Sequence, residues 1–414
     1  MIRITKTKNC RAQEKGYVLV VVIFILLLLM VTVVALNRRA GLQAKIAANQ
    51  VAAVQTQFGQ LAAVENAAWQ LLRNPQWRTA ASGENYAFDG VVYNRKILDS
   101  TRACPPDVIV VSVTAPGGMQ PFRAGLRIRY VHQETVYIAD TENNRIKKVD
   151  PAGRLFTVPT PDLNKPRGVA VDAGGNIYIA DTQNDRIMRV DTSDTAAILF
   201  AGLLDDPHGL WVQNGSSPRL FIADRKNDRI KTLEIMGPIP LFRIVYAGFL
   251  RNPRGVALDC PGNLYIADTD NDRIKQVEPA GKVSIFNAGP LEHPWDLAAD
   301  DRGNLYVADA ENHRIIWVNT AGAATTIAGG LRKPHGVAVA PSGNVYIADT
   351  DNHCVRRVDA DGVVSIFAGM CGKRGETGDG SLAIHSKLNR PHAVAVFSKA
   401  TSEVQGLEWI TEFY

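Results

Sequence analysis

The hydrophobic period of the chain changes three times. Residues 17–36, YVLVVVIFILLLLMVTVVAL, are twenty positions without a charge. At 1.5 Å per residue a helix of that length is about 30 Å long, the hydrocarbon thickness of a bilayer. Ile46, Val51, Val54, Phe58, Leu61, Val64, Ala68 and Leu72 then recur at three- and four-residue steps, the spacing of an amphipathic helix. No proline stands between Tyr17 and Pro75, so one transmembrane and projecting α-helix is predicted over 17–74. Strict alternation follows in Tyr86-Ala87-Phe88, Val91-Val92-Tyr93, Val108 to Val113 and Leu126 to Tyr130. It predicts a small β-sheet over 83–131.

From residue 132 the period belongs to whole segments. The pattern G-N-[ILV]-Y-[IV]-A-D-T-x-N-x-R-[IV] recurs with drift in six copies whose aspartates are Asp140, Asp181, Asp224, Asp268, Asp309 and Asp349. A second element, P-x-[GAD]-[VL]-A-[VA], begins at Pro166, Pro207, Pro253, Pro294, Pro334 and Pro391. Repeats of this length are those of a four-stranded propeller blade. The two sets are offset: the first aspartate copy has no proline element before it, and the last proline element has no aspartate copy after it. A closed ring in which Ala393-Val394-Ala395-Val396 joins the blade begun near Val136 resolves the offset and removes exposed sheet edges. The expectation is a mainly β chain with a six-bladed β-propeller over 132–397 and a short tail over 398–414.

An apolar fraction of 46% and a charged fraction of 21% exclude a disordered chain. The net charge is +5. Arg3, Lys6, Lys8, Arg11 and Lys15 against Glu14 give the leader 1–16 a charge of +4, leaving the remainder near neutral. No basic field is left to attract nucleic acid. The basic leader should stay cytoplasmic and place the rest across the inner membrane. Five cysteines are too few and scattered for a disulfide scaffold. Cys354 and Cys371 flank a predicted hairpin and can meet after export.

Glu14-Lys15-Gly16-Tyr17, the apolar run and the projecting helix together resemble the type IV pilin-like proteins, over about the first 130 residues. The resemblance implies cleavage after Gly16, methylation of the new amino terminus on Tyr17, and other pilin-like subunits as partners. The fifth mature residue is Val21, where most of that family carry glutamate. This departure points toward minor pilins or pseudopilins at a filament tip, with a plain membrane anchor as the alternative. The six-fold repeat resembles the NHL family, and the stretch Gly372 to Gly380 is similar to the glycine-rich insertion such propellers carry before the closing strand.

The repeated Asp and Asn, for instance Asp181 and Asn184, occur in every copy, and the Arg, for instance Arg186, in five of the six. A single active site needs one set, whereas a turn capped in every blade needs six, so these are read as structural. His313 and His353, between the Asn and the Arg-like site, are read as surface variants. The residue after each repeated proline varies: Arg167, His208, Arg254, Trp295, His335 and His392. The strand that follows should line the central channel, so these six should ring one mouth, suited to an anionic or sugar-like ligand through arginine contacts and ring stacking. NHL-type propellers include zinc-holding amidating lyases, and that resemblance would make His208, His335 and His392 zinc ligands. No nucleophile elbow, P-loop, dinucleotide fingerprint, H-E-x-x-H or C-x-x-C is present. The expected function is a membrane-inserted, exported binding head engaging a protein, anionic or carbohydrate ligand. The alternative is an envelope-anchored lyase or hydrolase using the histidines.

Overall fold

The computed structural model describes residues 84–88, 91–99, 108–114 and 122–410, save 216–217, 236–240 and 247. The leader, Gly16, Tyr17 and the helix predicted over 17–74 lie outside the described residues. No helix among the described residues is long and apolar enough to cross a membrane.

Two compact units are formed. In the first, Glu84–Phe88, Val91–Asp99, Val108–Thr114 and the leading part of Phe122–Asp140 make an antiparallel meander. Its register sets Tyr86 opposite Tyr93, Ile97 opposite Val111, and Val111 opposite Ala124. The alternation of the sequence therefore does form a sheet.

The second unit, 132–401, is a six-bladed propeller of four-stranded antiparallel sheets. Ile177–Asp181 shows why the recurring segment becomes a blade's second strand: all five residues are buried. Its neighbours cover both faces, so an uninterrupted apolar run is stable there. Blades 2 to 6 are each built from four successive strands. In blade 1 the inner strand comes from the other end of the chain, where Pro391–Ile410 pairs with Phe122–Asp140. Val394 packs with Val136 and Ile138, while Ala393 and Ala395 pack with Tyr137 and Ala139. The closure read from the offset repeats is thus the one observed. The tail expected from 398 begins as a continuation of that strand, which runs to Ile410.

Each repeated aspartate is fully buried, and four of the six share one three-way arrangement. Asp268 accepts from the Arg251 backbone N–H at 2.8 Å, from Asn271 Nδ2 at 2.9 Å and from Arg273 Nε at 2.7 Å. Asp181, Asp309 and Asp349 repeat the arrangement. Asp140 accepts from the Asn389 N–H, so the chain's two ends are joined by the same bond. The hydroxyls of Thr141, Thr182, Thr269 and Thr350 reach the carbonyl of the next blade's proline at 2.6–2.8 Å.

The residue between the Asn and the Arg-like site adopts a left-handed conformation in all six blades, and its side chain accepts a backbone N–H from the loop entering the next blade. Asp185, Asp228 and Asp272 do this with carboxylates. His313 and His353 do it with Nδ1, accepting from Lys333 at 3.2 Å and Arg390 at 3.1 Å. They are blade-to-blade acceptors as well as surface variants, His313 being exposed and His353 half-buried.

Cys354 and Cys371 form a disulfide, with Cα atoms 5.0 Å apart, across the hairpin between them. The glycine-rich insertion beyond Cys371 returns to blade 1. Asp379 takes Lys147 Nζ at 2.7 Å, Glu376 takes Arg145 at 2.9 Å, and Gly380 and Ser381 bond the backbone of Leu155.

Candidate functional site

The six residues after the repeated prolines do converge, lining one cavity of about 300 Å³ that runs along the inner strands. Close strand approach at this end depends on the residue that follows each of them. Gly168, Gly209, Gly255 and Gly336 occupy four of the six positions. A Cβ built on them would stand 1.9, 2.4, 2.6 and 2.5 Å from neighbouring backbone atoms. Only glycine lets the strands close to this distance, and the closeness brings the variable side chains together.

Those side chains touch in sequence around the ring. Arg167 Nη1 lies 3.3 Å from His208 Nε2. His335 stacks on Trp295 with centroids 3.4 Å apart and planes 3° from parallel. The Arg254 guanidinium carbon lies 3.8 Å over the same indole. His392 meets His335 edge to face at 4.6 Å. The stacking expected for a ligand on Trp295 is therefore made within the protein, and the indole acts as a spacer that orients Arg254 and His335.

All three histidines are at least nine-tenths buried. Burial holds His208 down to about 3, with Arg167 lowering it further and Asp206 opposing. Burial first, then neighbouring imidazoles and arginines, holds His335 and His392 well below the usual histidine range. They are neutral in the free protein. Burial also lowers Arg254, to about 10, which leaves it charged. Behind His208, burial pushes the Asp206 carboxylate upward. His208, 3.6 Å away, and the arginines Arg225 and Arg167 outweigh this and hold it near 2. Among the described residues, four that line this cavity keep a buried nitrogen with no hydrogen-bond partner: Nε of Arg167 and Arg254, and Nδ1 of His335 and His392. Buried polar atoms left unpaired are costly.

A zinc centre is a poor fit. Among the described residues no group of three or more His, Cys, Asp or Glu is placed to hold a metal ion. The physical reason is Trp295, stacked on His335 and 6.0 Å from His208.

Asp296 was not singled out from the sequence. It stands where four blades have glycine and blade 1 has Ala393, and its carboxylate lines the cavity. Its Oδ2 accepts the Val337 N–H at 3.1 Å. Burial pushes its pKa up to about 7, against the lowering effect of the Val337 and Leu297 N–H groups. The departure from P-x-G was the available signal. Asp206 and Arg225 were also missed; Arg225 occupies the position held by threonine in four other blades.

Fold and site together define a six-bladed β-propeller of four-stranded blades with an arginine- and histidine-lined channel end. The model of the virginiamycin B lyase family matches residues 123–358, more than half of the chain, and the protein belongs to that family. No curated protein matches it. Among solved structures it resembles a nidogen/laminin complex at 21% identity and a TM-score of 0.54, covering 65% of this chain and 99% of that one; this likeness shows the fold alone. A streptogramin B lyase is 16% identical at a TM-score of 0.45, covering 77% of this chain and 94% of that one. A catalytically inactive virginiamycin B lyase from Staphylococcus aureus with quinupristin is 13% identical at 0.44, covering 66% and 88%.

Proposed function

We propose that this protein is an exported, membrane-anchored binding head whose propeller takes an anionic ligand at the channel end formed by Arg167, His208, Arg254, Trp295, His335 and His392. The observation that carries this reading is the convergence of Arg167, Arg254 and three buried neutral histidines on one cavity. Charged guanidinium groups beside neutral imidazoles are a donor-rich surface suited to carboxylate or phosphate recognition. The disulfide suits an oxidising compartment, and the apolar run and basic leader supply the anchor. Pilin-type processing at Gly16 and Tyr17 would place the head on a filament. Mass spectrometry of the native amino terminus tests that part: a chain starting at methylated Tyr17 supports it, and one starting at Met1 in cells with active prepilin peptidase refutes it.

The head itself is tested with an array of acidic saccharides and small carboxylates, comparing the full-length protein with Arg254→Ala. Retention that falls at least tenfold in the variant is expected. No retained anion, or retention indifferent to the substitution, refutes the reading. Membership of the lyase family favours a second reading, bond cleavage by elimination at the same cavity. Incubation with virginiamycin B in ¹⁸O-labelled water separates the two. A cleaved product without label would indicate a lyase, and unchanged substrate would leave the binding head.

A further inference from the structure

Asp296 adds a feature that the arginines and histidines do not supply. The position it occupies is closed to side chains in four blades by backbone atoms 1.9 to 2.6 Å from a built Cβ. Here the carboxylate finds room beside Gly255, where a Cβ would stand 3.0 Å from Asp296 Oδ1. Among the described residues no cation pairs with it, although two arginines line the same cavity. Arg254 is drawn onto Trp295 and Arg167 toward His208. The cavity wall thus holds a carboxyl group that has backbone N–H partners but no cation, alongside two arginines and two nine-tenths buried histidines.

We propose that this end of the channel is a proton-coupled carboxylate site, in which a ligand carboxylate lodges among Arg167, Arg254, His335 and His392 and Asp296 in its acid form donates a hydrogen bond to it. The proposal rests on the anionic-ligand reading above and names the ligand class and the residue that selects it. Two carboxylates at close range cannot both stay ionised and share one proton. Where Asp296 starts ionised, binding therefore takes up one proton: the Asp296 carboxylate, a solvent proton and the ligand carboxylate become a carboxylic acid hydrogen-bonded to a carboxylate. No covalent bond of the ligand changes. A cavity of about 300 Å³ has room for a small acid or a single sugar acid.

Other titratable groups face the same space. His335 comes from blade 6, His392 from the closing strand of blade 1, Arg254 from the approach to blade 4, and His208 and Arg167 from blades 3 and 2. Asp206, Arg225 and Arg390 stand behind them. Arg254, lowered to about 10, keeps its charge at the pH used, and Asp206, held near 2, stays ionised. His335, His392 and Asp301 line the same cavity, so the experiment must separate them from Asp296.

The test is calorimetric titration of the full-length protein with acetate, D-glucuronate and inorganic phosphate at pH 6 and pH 8. With an Asp296 pKa of about 7, carboxylate affinity should be about tenfold weaker at pH 8. Repeating the pH 7 titration in two buffers of different ionisation heat should show net proton uptake, a readout that needs no variant. Asp296→Asn should bind carboxylates with affinities at the two pH values within about twofold. Acetate and glucuronate behaving alike points to the carboxylate itself, and glucuronate binding alone points to a sugar acid; either supports the site. Equal affinity at both pH values, or a tenfold dependence that survives in Asp296→Asn, whether it then vanishes in His335→Asn, His392→Asn or Asp301→Asn, overturns it while leaving an anion site in place. Phosphate binding without carboxylate binding also overturns it. Failure of every anion to bind the wild-type protein overturns the anionic-ligand reading as well.

Discussion

Gly168→Ala isolates the close strand approach on which the site depends. The built Cβ would lie 1.9 Å from the His208 carbonyl oxygen and 3.0 Å from Ala180 Cβ. Ordinary carbon–oxygen contact is more than 1 Å longer, and the obstacle is backbone, so blades 2 and 3 must part or twist. Overpacking of this kind costs roughly 1–3 kcal/mol, and an unyielding carbonyl places the change toward the upper end, about 2–3 kcal/mol. For units of 150–250 residues each kcal/mol moves the melting midpoint by roughly 2–4 °C, so a fall of about 5–10 °C is expected. Gly329→Ala is the control. Nothing lies within 4 Å of its built Cβ and its φ is outside the left-handed region, so loss of unfolded-state freedom should raise stability by roughly 0.4–1 kcal/mol. Scanning calorimetry of the three full-length proteins reads both signs. Separating the strands also displaces Arg167 from His208, so Gly168→Ala should lose anion binding and Gly329→Ala should keep it. If Gly168→Ala melts within about 1 °C of wild type, the reasoning from strand approach is refuted.

The repeated aspartates offer a second test. Asp268→Ala strands an N–H, an amide and a guanidinium, and should lose about 3–4 kcal/mol in urea unfolding; Glu278→Ala, which breaks only an exposed pair with Lys282, should lose under about 0.5 kcal/mol. Burial lowers the pKa of His353, and its neutral Nδ1 accepts the Arg390 N–H. Its contribution, about 1 kcal/mol, is present above the unfolded value near 6.5 and is lost as pH falls through the lower folded value. His353→Asp, the residue type at this place in three other blades, should flatten the fall in melting temperature between pH 6 and pH 4, and an unchanged slope would count against the acceptor role. Removing the disulfide as Cys354→Ala with Cys371→Ala frees a loop of sequence separation 17 and should cost about 3 kcal/mol. The same loss should follow reductant treatment of the wild type, but only after heating, since Cys354 is fully buried.

Most of the architecture was legible because it is written six times. The offset between aspartate and proline elements determined how the ring closes, and the observed pairing of Pro391–Ile410 with Phe122–Asp140 follows from it. What the sequence concealed were substitutions of one group for another in the same office. Ala340 stands in blade 6 where Asp172, Asp259 and Asp300 bond an Asn and a Tyr in their own blades. The missing carboxylate comes from Glu134 across the closure, accepting from Tyr346 Oη at 2.6 Å and Asn344 Nδ2 at 3.2 Å. His313 and His353 hide in the same way, because an imidazole does not look like an aspartate until both are seen accepting the same N–H.

A repeat carries its own control, and this separates scaffold from site more sharply than any single motif here. Residues present in every blade turned out to be buried fasteners. The six that vary at a fixed position turned out to line one cavity, because a position freed from the fastening role can diverge. Asp296 refines the rule. Read as text, an Asp among four glycines and an alanine is drift. Read with the 1.9 to 2.6 Å approaches that demand glycine at this place, it is an exception that the fold must accommodate. It does so in the channel wall, where Oδ2 accepts the Val337 N–H, and in the carboxylate site proposed above its acid form would add the one hydrogen-bond donor whose presence depends on pH near neutrality.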